Sequence, residues 1–550
     1  MKLVIIGAVA AGTSAAAKAR RNDETAEIVI YEKDTDISYS ACGMPYYLAG
    51  LIRNLEALSP RNPAYFRDKY DVNIRTGHEV LEIQPDRNTL LVRNLDTGEV
   101  FPDTYDTLIL ATGARAVLPP LPGLFLPHVF PLRTLNDMNR IDTFLKSASP
   151  KRAVILGTGF IGLECCEALA GLGLQVTLVE KLPQVTPGLD ADMARLVEDH
   201  LREKGVSVHT GNGVAQVEPE QVALTDGTAL PADLVIVATG VRPNRELAEA
   251  AGIRLGPTGA IAVDERMQTN LPHILACGDC IEQTHLVTGK PVYRPLGSTA
   301  NKTGRIAGDV ATGGSLAFRG ILGTGIFRLF DRTVAQTGLS EREAVAAGYE
   351  VVVSHNIKPD RPEYMGGREM TIKSVADRAT GRLLGVQIVG EAGVDKRIDV
   401  FATAISFGAR AEDLFHLDLA YAPPFATTKD PVHYTGMILE NALHRNRPLM
   451  TPDTLEELIG SGRPYTLIDA RVEKQYDAGH IPTARSIPQD KLRQAAGTLD
   501  PDVPAITYCN KGVTGNAAQN ILLGKGIRTV YNLSGGYRMY RGGKRPRPNA

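Results

Sequence analysis

Apolar residues in the N-terminal part of this chain form short runs that stop at a glycine or an acidic residue. The first run, Leu3–Ile6, ends at Gly7 and predicts a buried strand followed by a turn. Small residues at Thr13–Asn22 predict a helix, and the next run, Ile28–Tyr31, predicts a second strand that ends at Glu32. This order of strand, helix and strand predicts a βαβ unit within a parallel sheet.

The pattern recurs about 150 residues later. Arg152–Leu156 predicts a strand, a helix follows, and Leu174–Val179 predicts a second strand that ends at Glu180. Glycines mark both turns, Gly-Ala-Val-Ala-Ala-Gly at 7–12 and Gly-Thr-Gly-Phe-Ile-Gly at 157–162. Such turns let a pyrophosphate approach the backbone, while the acid at the strand end accepts ribose hydroxyls. The repeat predicts two dinucleotide sites, and Glu180 favours NADH because a carboxylate repels a 2′-phosphate.

Three further segments extend this prediction. Thr107–Gly113 and Leu234–Gly240 are near-copies of one strand and turn, and His273–Asp279 predicts a strand that ends in Gly-Asp. An aspartate in that position can bind the hydroxyls of the ribityl chain of a flavin. Together, these motifs resemble those of the two-dinucleotide-fold flavoprotein disulfide reductases over about residues 1–440.

The resemblance implies an α/β fold with two Rossmann-like domains and an α+β dimerisation domain. It predicts an FAD-binding domain at 1–113 and 240–322, an NADH-binding domain at 114–239 and a dimer-interface domain at 323–442. The residues implied for FAD are Gly7, Gly12, Glu32, Thr112, Gly113 and Asp279. Those implied for NADH are Gly157, Gly159, Gly162, Glu180 and Gly240. A homodimer whose active sites use both subunits is also implied.

Cys42, in Ser-Tyr-Ser-Ala-Cys-Gly-Met-Pro-Tyr, stands where this family places its flavin-facing thiol. Members with a redox pair carry a second cysteine five residues on, but this chain has Tyr47 there. A lone thiol either cycles through a sulfenic acid or forms a mixed disulfide with a small thiol. Oxidase and peroxidase relatives carry a histidine where this chain has Ala10, so the segment resembles the coenzyme A disulfide reductase branch instead.

The resemblance to that branch supplies further candidate residues. Tyr364 and Tyr421 match positions from which tyrosines reach the partner subunit's site, where a phenol can stabilise a leaving thiolate. The phosphates of coenzyme A need cations. The candidate residues for coenzyme A are Arg20, Arg21, Ser38, Arg61 and Lys69.

The C-terminal part has a second resemblance. Residues 443–452 are basic and contain proline, which predicts a linker that lets the domain at 453–550 swing. Within that domain, Tyr465–Asp469 and Ala505–Tyr508 predict strands, and the second runs into Cys509. Asp-x-Arg at 469–471, Gly-His-Ile-Pro at 479–482 and Asn-Leu-Ser-Gly-Gly at 532–536 complete a likeness to the rhodanese family, a small α/β sulfur-transfer domain.

In rhodaneses the backbone N–H groups of the cysteine loop converge on the sulfur and stabilise a thiolate or persulfide. Many members close this loop with an arginine, where this chain has Gly515 or Asn516. We therefore expect Cys509 to accept a larger persulfide in place of thiosulfate. Asp469, Arg471 and His480 are interpreted as structural ties of the fold.

Composition narrows the function classes. The net charge of −2 does not favour nucleic acid or acidic membrane partners, and no apolar run is long enough to span a membrane. An N-terminus that enters a strand directly, and six cysteines without regular spacing, predict a cytoplasmic protein. Cys277 and Cys280 flank a candidate flavin contact and lack a second pair, so no metal site is predicted.

The motifs together predict an NADH-dependent FAD enzyme that reduces persulfides, polysulfide or coenzyme A disulfide through Cys42, while Cys509 carries or delivers sulfane sulfur. Two alternatives stay open. One is an NADH oxidase or peroxidase that uses a Cys42 sulfenic acid. The other is a sulfur carrier whose flavin part is mainly structural. The sequence decides neither the natural acceptor nor whether Cys509 serves its own subunit.

Overall fold

A computed structural model describes residues 1–541, which form two compact units. The first unit contains Met1–Pro183 and Val206–Gly323, and the second contains Gln184–Gly205 and the chain from Thr324 onward. Of the predicted domain at 453–550, residues 542–550 lie outside the described part.

The helices up to Gly323 are α1 (Ala10–Asn22), α2 (Met44–Leu48), α3 (Pro63–Tyr70), α4 (Leu135–Ala148), α5 (Phe160–Gly171), α6 (Ala191–Glu203), α7 (Glu246–Ala250) and α8 (Gly297–Ala311). The strands there begin with β1 (Lys2–Ile6), β2 (Glu27–Tyr31), β3 (Val72–Arg75), β4 (His78–Gln84), β5 (Thr89–Asn94), β6 (Val100–Thr104), β7 (Thr107–Leu110), β8 (Ala114–Ala116), β9 (Val129–Pro131) and β10 (Arg152–Leu156). They continue with β11 (Gln175–Glu180), β12 (Ser207–Thr210), β13 (Val214–Val217), β14 (Gln221–Leu224), β15 (Ala229–Pro231), β16 (Leu234–Val237), β17 (Val241–Pro243), β18 (Ile274–Ala276), β19 (Gln283–Thr284) and β20 (Pro291–Val292).

From Thr324 onward the helices are α9 (Glu341–Ala346), α10 (Val394–Ser406), α11 (Pro431–His444), α12 (Pro452–Gly460), α13 (Glu473–Asp477), α14 (Gln489–Ala495), α15 (Val513–Gly524) and α16 (Gly536–Arg541). The strands are β21 (Gly325–Leu329), β22 (Arg332–Gly338), β23 (Val351–Pro359), β24 (Glu369–Asp377), β25 (Leu383–Gly390), β26 (Leu449–Met450), β27 (Thr466–Asp469), β28 (Arg485–Ser486), β29 (Ala505–Tyr508) and β30 (Val530–Leu533). Among residues 1–541, every helix is too short or too polar to cross a lipid bilayer.

Two parallel sheets organise the first unit. One has the strand order β18-β7-β1-β2-β3 and the other has the order β12-β11-β10-β16-β9. Their central strands, β1 and β10, are apolar and buried after their first residues, Lys2 and Arg152, because both faces are covered. The small residues of α1 let α8 approach closely, since a Cβ at Gly304 would lie 2.2 Å from the carbonyl oxygen of Ala11. Both predicted βαβ units are confirmed.

The second unit contains an antiparallel sheet and a parallel sheet. The antiparallel sheet has the order β21-β22-β25-β24-β23, with α10 and α11 packed on it. The parallel sheet at the C-terminus has the order β26-β30-β29-β27-β28. These sheets confirm the predicted α/β fold class, with two parallel-sheet domains, an antiparallel-sheet domain and a C-terminal α/β domain.

Regular structure occupies part of the linker predicted at 443–452. The helix α11 runs to His444, and Leu449–Met450 forms strand β26, which pairs with β30. The C-terminal domain is also tied to the antiparallel sheet, because the buried Ser534 hydroxyl accepts the N–H of His355 at 2.7 Å. These contacts join the C-terminal domain to the antiparallel sheet, and the swing suggested by the sequence would have to break them.

Candidate active site

The first glycine turn, between β1 and α1, has no room for side chains at its ends. Gly7 has φ +105°, and a Cβ there would lie 2.3 Å from the carbonyl oxygen of Ala111. A Cβ at Gly12 would lie 1.8 Å from the carbonyl oxygen of Gly7. No side chain caps α1, and the buried Glu32 accepts the N–H of Ala8 at 2.7 Å. A tight turn at a helix N-terminus beside a carboxylate fits the pyrophosphate and ribose of FAD.

Replacing Gly12 with alanine is expected to abolish FAD retention, because the new Cβ would overlap the carbonyl oxygen of Gly7 and force the turn open. Gly171→Ala is the matched control, since a Cβ at that end of α5 meets no atom within 4 Å. The visible absorbance of the purified proteins measures their flavin content. A Gly12→Ala protein with the wild-type flavin content would contradict the assignment of this turn.

The second glycine turn, between β10 and α5, repeats this geometry. Gly157 has φ +99°, and a Cβ at Gly162 would lie 2.2 Å from the carbonyl oxygen of Gly157. The middle glycine, Gly159, has no atom within 4 Å of its Cβ position, so this side of the turn is open to a ligand. Glu180 is fixed at the end of β11, where its carboxylate accepts the Thr158 N–H at 3.0 Å and the Thr158 hydroxyl at 2.8 Å.

The two near-copied turns lie side by side. The strands that follow them, β8 and β17, pair in antiparallel fashion, and both turn glycines, Gly113 and Gly240, have positive φ. The hydroxyl of Thr112 donates to the Asn244 carbonyl at 2.8 Å, and the N–H of Asn244 donates to the Gly113 carbonyl at 2.9 Å. Thr112, Gly113 and Gly240 therefore lie close together, where the chain passes between the two parallel sheets of the first unit.

Cys42 lies in a short 3-10 turn that the structure connects to both glycine turns. Ahead of it, the Ser38 N–H donates to the carbonyl of Ala8, in the first turn, at 2.9 Å. Behind it, α2 packs against α5, and the Tyr46 hydroxyl donates to Glu164 at 3.1 Å. The side chain of Cys42 is exposed, as a thiol that meets a substrate must be.

Charges surround Cys42. Although the side chain is exposed, partial desolvation by the surrounding protein raises the pKa of its thiol, the nearby Glu164 carboxylate raises it further, and Arg133 opposes both effects. Burial raises the pKa of Glu164 to about 7. Arg133 donates to Asp279 at 3.0 Å, so one cation acts on both the predicted flavin aspartate and the Cys42 thiol. Sequence reasoning missed Arg133, which no local pattern marks, and Glu164, whose signal is its place two residues after Gly162.

The prediction that Arg20 binds coenzyme A is wrong. Its side chain is buried, and its guanidinium donates to five backbone carbonyls, so no N–H remains for a phosphate. The acceptors are the carbonyls of Tyr70, Asp23, Glu24, Ala26 and Asp71. The sequence shows a cation near the end of a helix, but only the structure shows that it turns inward.

The other cations keep their charges at the surface. Arg21, Arg61 and Lys69 are exposed. The Lys69 ammonium donates to the Tyr65 hydroxyl at 3.0 Å, and the Arg61 guanidinium lies 5.7 Å from the centre of the same ring. Arg61 and Lys69 therefore flank one tyrosine on α3, where an anionic group can approach them.

Tyr364 and Tyr421 belong to the second unit, whereas Cys42 belongs to the first. Tyr364 is 75% exposed and Tyr421 is 48% exposed. Phe425 nearby in the sequence is 70% exposed. An exposed aromatic surface of this kind is typical of a protein interface.

Cys509 follows β29 and is 6% exposed. Its Sγ accepts the N–H of Gly512 at 3.2 Å, and the helix α15 begins directly after that glycine. Gly515 has no room for an arginine, because a Cβ there would lie 2.4 Å from the Asn532 side-chain oxygen. The side chain of Asn516 bonds to Gln519 at 3.1 Å. The loop therefore supplies the Gly512 N–H to the sulfur but no closing cation at either predicted position.

Three cations outside residues 512–516 lie near the cysteine loop. Lys511 and Arg538 both pair with Glu369 of the antiparallel sheet, and these two cations hold the pKa of Glu369 below its usual value against the effect of burial. Lys358, on β23, lies with its Nζ 3.8 Å from the centre of the Tyr434 ring. Its charge and that of a Cys509 thiolate attract one another.

The residues interpreted as structural ties behave in different ways. Arg471 is buried and donates to both oxygens of Asp469, to the carbonyl of Gly479 and to the side chain of Asn510 in the cysteine loop. These bonds support the structural interpretation of Asp469 and Arg471. His480 is exposed and stacks on Tyr476 at 3.8 Å between ring centres.

The remaining cysteines are buried. Burial raises the pKa of Cys166 to about 12 and also raises those of Cys165, Cys277 and Cys280. The Cys280 thiol donates to the Cys277 carbonyl at 3.2 Å, inside the core of the first unit. Within residues 1–541, no cluster of three or more histidine, cysteine and acidic side chains is arranged to hold a metal ion.

Three family profiles match successive parts of the chain. Residues 1–296 match the pyridine nucleotide-disulphide oxidoreductase family, and residues 326–431 match its dimerisation domain. Residues 451–542 match the rhodanese-like domain. The matches follow the order in which the sheets occur along the chain.

Similarities to individual proteins agree with these family matches. The NAD(P)H sulfur oxidoreductase (CoA-dependent) of Pyrococcus furiosus is 38% identical over 80% of this chain and 99% of its own length. The structure of reduced CoADR-RHD from Bacillus anthracis is 34% identical, with a TM-score of 0.96 over 98% of both chains. An NAD-dependent persulfide reductase from A. fulgidus is 36% identical, with a TM-score of 0.91 over 98% of this chain and 100% of its own.

Proposed function

The chain belongs to the pyridine nucleotide-disulphide oxidoreductase family, and from this premise we propose that it is an NADH-dependent reductase of sulfur–sulfur bonds. Its substrates are persulfides, polysulfide or coenzyme A disulfide. Cys42 is the redox thiol, and Cys509 carries or delivers sulfane sulfur. The enzyme acts in the cytoplasm. It forms a homodimer, and its dimerisation domain and exposed aromatic residues support this assembly.

The observation that carries this proposal is the position of Cys42 between the two glycine turns. The Ser38 bond reaches the turn that fits FAD, and the Tyr46 bond reaches the helix of the turn that fits NADH. Bound FAD would pass electrons from NADH to the sulfur that Cys42 holds. Because Tyr47 stands where a second cysteine would be, the resolving sulfur comes from a small thiol.

The chain's own groups then handle sulfur and protons. The thiolate of Cys42 attacks one sulfur of the substrate, the sulfur–sulfur bond breaks, and the other sulfur leaves as a thiolate. Glu164, with a pKa of about 7, is near enough to Cys42 to affect its ionisation and carries a proton in part of the molecules at neutral pH. Overall, NADH, a proton and a disulfide give NAD⁺ and two thiols, or a persulfide gives a thiol and hydrogen sulfide.

The surface cations then hold the anionic part of coenzyme A. We assign this role to Arg21, Arg61 and Lys69, which are exposed, with Ser38 on the segment that leads to Cys42. Tyr364 and Tyr421 are proposed to reach the site of the partner subunit and to donate to the leaving thiolate. The three donors on Glu180 keep its carboxylate in the ribose position, which supports NADH as the preferred donor.

Anaerobic NADH oxidation with coenzyme A disulfide, coenzyme A persulfide and polysulfide tests the function. We expect each reaction to exceed the oxygen-dependent background of the same enzyme, with NADH preferred to NADPH. In Cys509→Ser, the ratio of the polysulfide rate to the coenzyme A disulfide rate is expected to fall, because only the former uses the sulfur carrier. Turnover with every sulfur substrate no faster than with oxygen would favour the oxidase alternative.

A further inference from the structure

The cysteine loop of the C-terminal domain lacks a cation of its own at the closing position, yet its sulfur must bind donors that carry negative charge. A persulfide, a polysulfide and thiosulfate are all anionic, and each leaves a second anion behind when its outer sulfur is transferred. Gly515 and Asn516, which stand at that position, are uncharged and cannot supply the compensating charge. The charge has to come from elsewhere in the fold.

The antiparallel sheet presents such a charge. Lys358 lies next to the C-terminal end of β23, opposite Met370 of β24, and the neighbouring pair in that register is Pro359 with Glu369. Glu369 binds both Lys511 of the cysteine loop and Arg538 of α16, so this corner of the sheet is held against the loop. The Tyr434 ring lies under the Lys358 ammonium and supports its position.

The charges at this corner do not cancel. Lys358 is half-buried, and burial lowers its pKa, as do the nearby charges of Lys511 and Lys429, while Cys509 has the opposite effect. Glu369 is the carboxylate that pairs with Lys511 and Arg538, and it does not pair with Lys358. Lys358 therefore adds a positive charge that Glu369 does not neutralise, and it lies close enough to Cys509 to interact with it electrostatically. The Cys509 sulfur already accepts a backbone N–H, and the two features together suit an anion.

We propose that Lys358 of the dimer-interface domain completes the Cys509 site and binds the charged group of an anionic sulfane-sulfur donor. The inference rests on the proposed role of Cys509 as a sulfur carrier. The Cys509 thiolate attacks the sulfane sulfur, a new sulfur–sulfur bond forms on Cys509, and the donor's own sulfur–sulfur bond breaks. The remaining thiolate, or sulfite from thiosulfate, leaves with the electron pair beside the Lys358 ammonium. No external oxidant or reductant takes part.

Loading of Cys509 in the full-length enzyme without NADH tests this assignment. The fraction of Cys509 peptide that carries one extra sulfur atom is measured by mass spectrometry against the concentration of thiosulfate, polysulfide or coenzyme A persulfide. For Lys358→Met, the half-saturating donor concentration is expected to rise about tenfold, as for the loss of one charge-assisted contact. Lys358→Arg is expected to restore most of the affinity, because the charge is kept.

Lys525→Met is the matched control, because this exposed lysine follows the C-terminal end of α15, about 18 Å along the helix from the loop. An increase confined to thiosulfate and polysulfide assigns Lys358 to small donors, and an increase with coenzyme A persulfide as well extends the assignment to large ones. An unchanged half-saturating concentration in Lys358→Met, or equal impairment in Lys358→Met and Lys358→Arg, overturns it. Since loading needs neither NADH nor Cys42, failure of the reductase proposal would leave this readout unaffected.

Discussion

Replacing Cys42 with serine is expected to lower NADH-dependent reduction of coenzyme A disulfide by roughly a thousand-fold or more. A serine hydroxyl is not ionised at neutral pH and cannot exchange with a sulfur–sulfur bond, so the proposed route to the substrate is lost. The bonds that carry the segment around Cys42, from Ser38 to Ala8 and from Tyr46 to Glu164, do not involve its sulfur. The substitution should therefore leave the fold and the nucleotide turns intact.

Two measurements on Cys42→Ser make this result specific. The purified variant is expected to retain its flavin absorbance, and anaerobic NADH is expected to bleach it as in the wild type. Steady-state rates with coenzyme A disulfide then isolate the step at the thiol. Substantial turnover of coenzyme A disulfide, coenzyme A persulfide and polysulfide by the serine variant would show that the mechanism does not pass through Cys42.

Lys373→Met is expected to destabilise the second unit by about 3–5 kcal/mol, because it removes the buried cation that Asp190 and Asp192 share. The Lys373 ammonium is buried and lies 2.9 Å from Asp192, 3.2 Å from Asp190 and 2.7 Å from Glu341. Hydrogen exchange in peptides that cover β24 and α6 measures the local free energy of opening. Arg378→Met is the control, since its pair with Glu350 is exposed and contributes less than about 1 kcal/mol.

This destabilisation is expected to depend on pH in a defined direction. Burial raises the pKa of Asp192, but His355 and Lys373 outweigh this effect and hold the pKa below its usual value. The contribution of Asp192 to the free energy of unfolding is therefore complete above the ordinary aspartate pKa of about 3.9. It is lost as the pH falls through the lower folded value. The difference between wild type and Lys373→Met should therefore shrink on acidification below about pH 4. A difference that stays constant from pH 7 to pH 3 would contradict the ion-pair explanation.

The repeated elements show how far local patterns reach. The strand predicted at Leu3–Ile6 is found at Lys2–Ile6, and the one predicted at Leu174–Val179 is found at Gln175–Glu180. A strand covered on both faces must be apolar along its length, and a turn that meets a backbone oxygen at 1.8 Å from a Cβ position must contain glycine. Such requirements act within a few residues, so the sequence displays them directly.

Long-range contacts could not be predicted in this way. The strand β26 contains only Leu449–Met450 and forms because it pairs with β30. Two residues show no strand pattern of their own, so this segment resembled a linker in the sequence. Arg20 looked like a free cation at a helix end, but five backbone carbonyls from two separate segments, 23–26 and 70–71, accept its N–H groups. Both errors have one cause, since the partners lie far away in the sequence or in loops whose path local patterns do not determine.

The sequence by itself determined the βαβ repeats and the order of the domains, and it singled out the two cysteines proposed to react, because each depends on residue types at fixed local spacing. Only the tertiary structure decided what surrounds those cysteines. It placed Glu164 and Arg133 beside Cys42, and it brought Lys358 from the antiparallel sheet toward Cys509. Electrostatic effects depend on distance through space and on burial, and neither is set by the separation of residues along the chain.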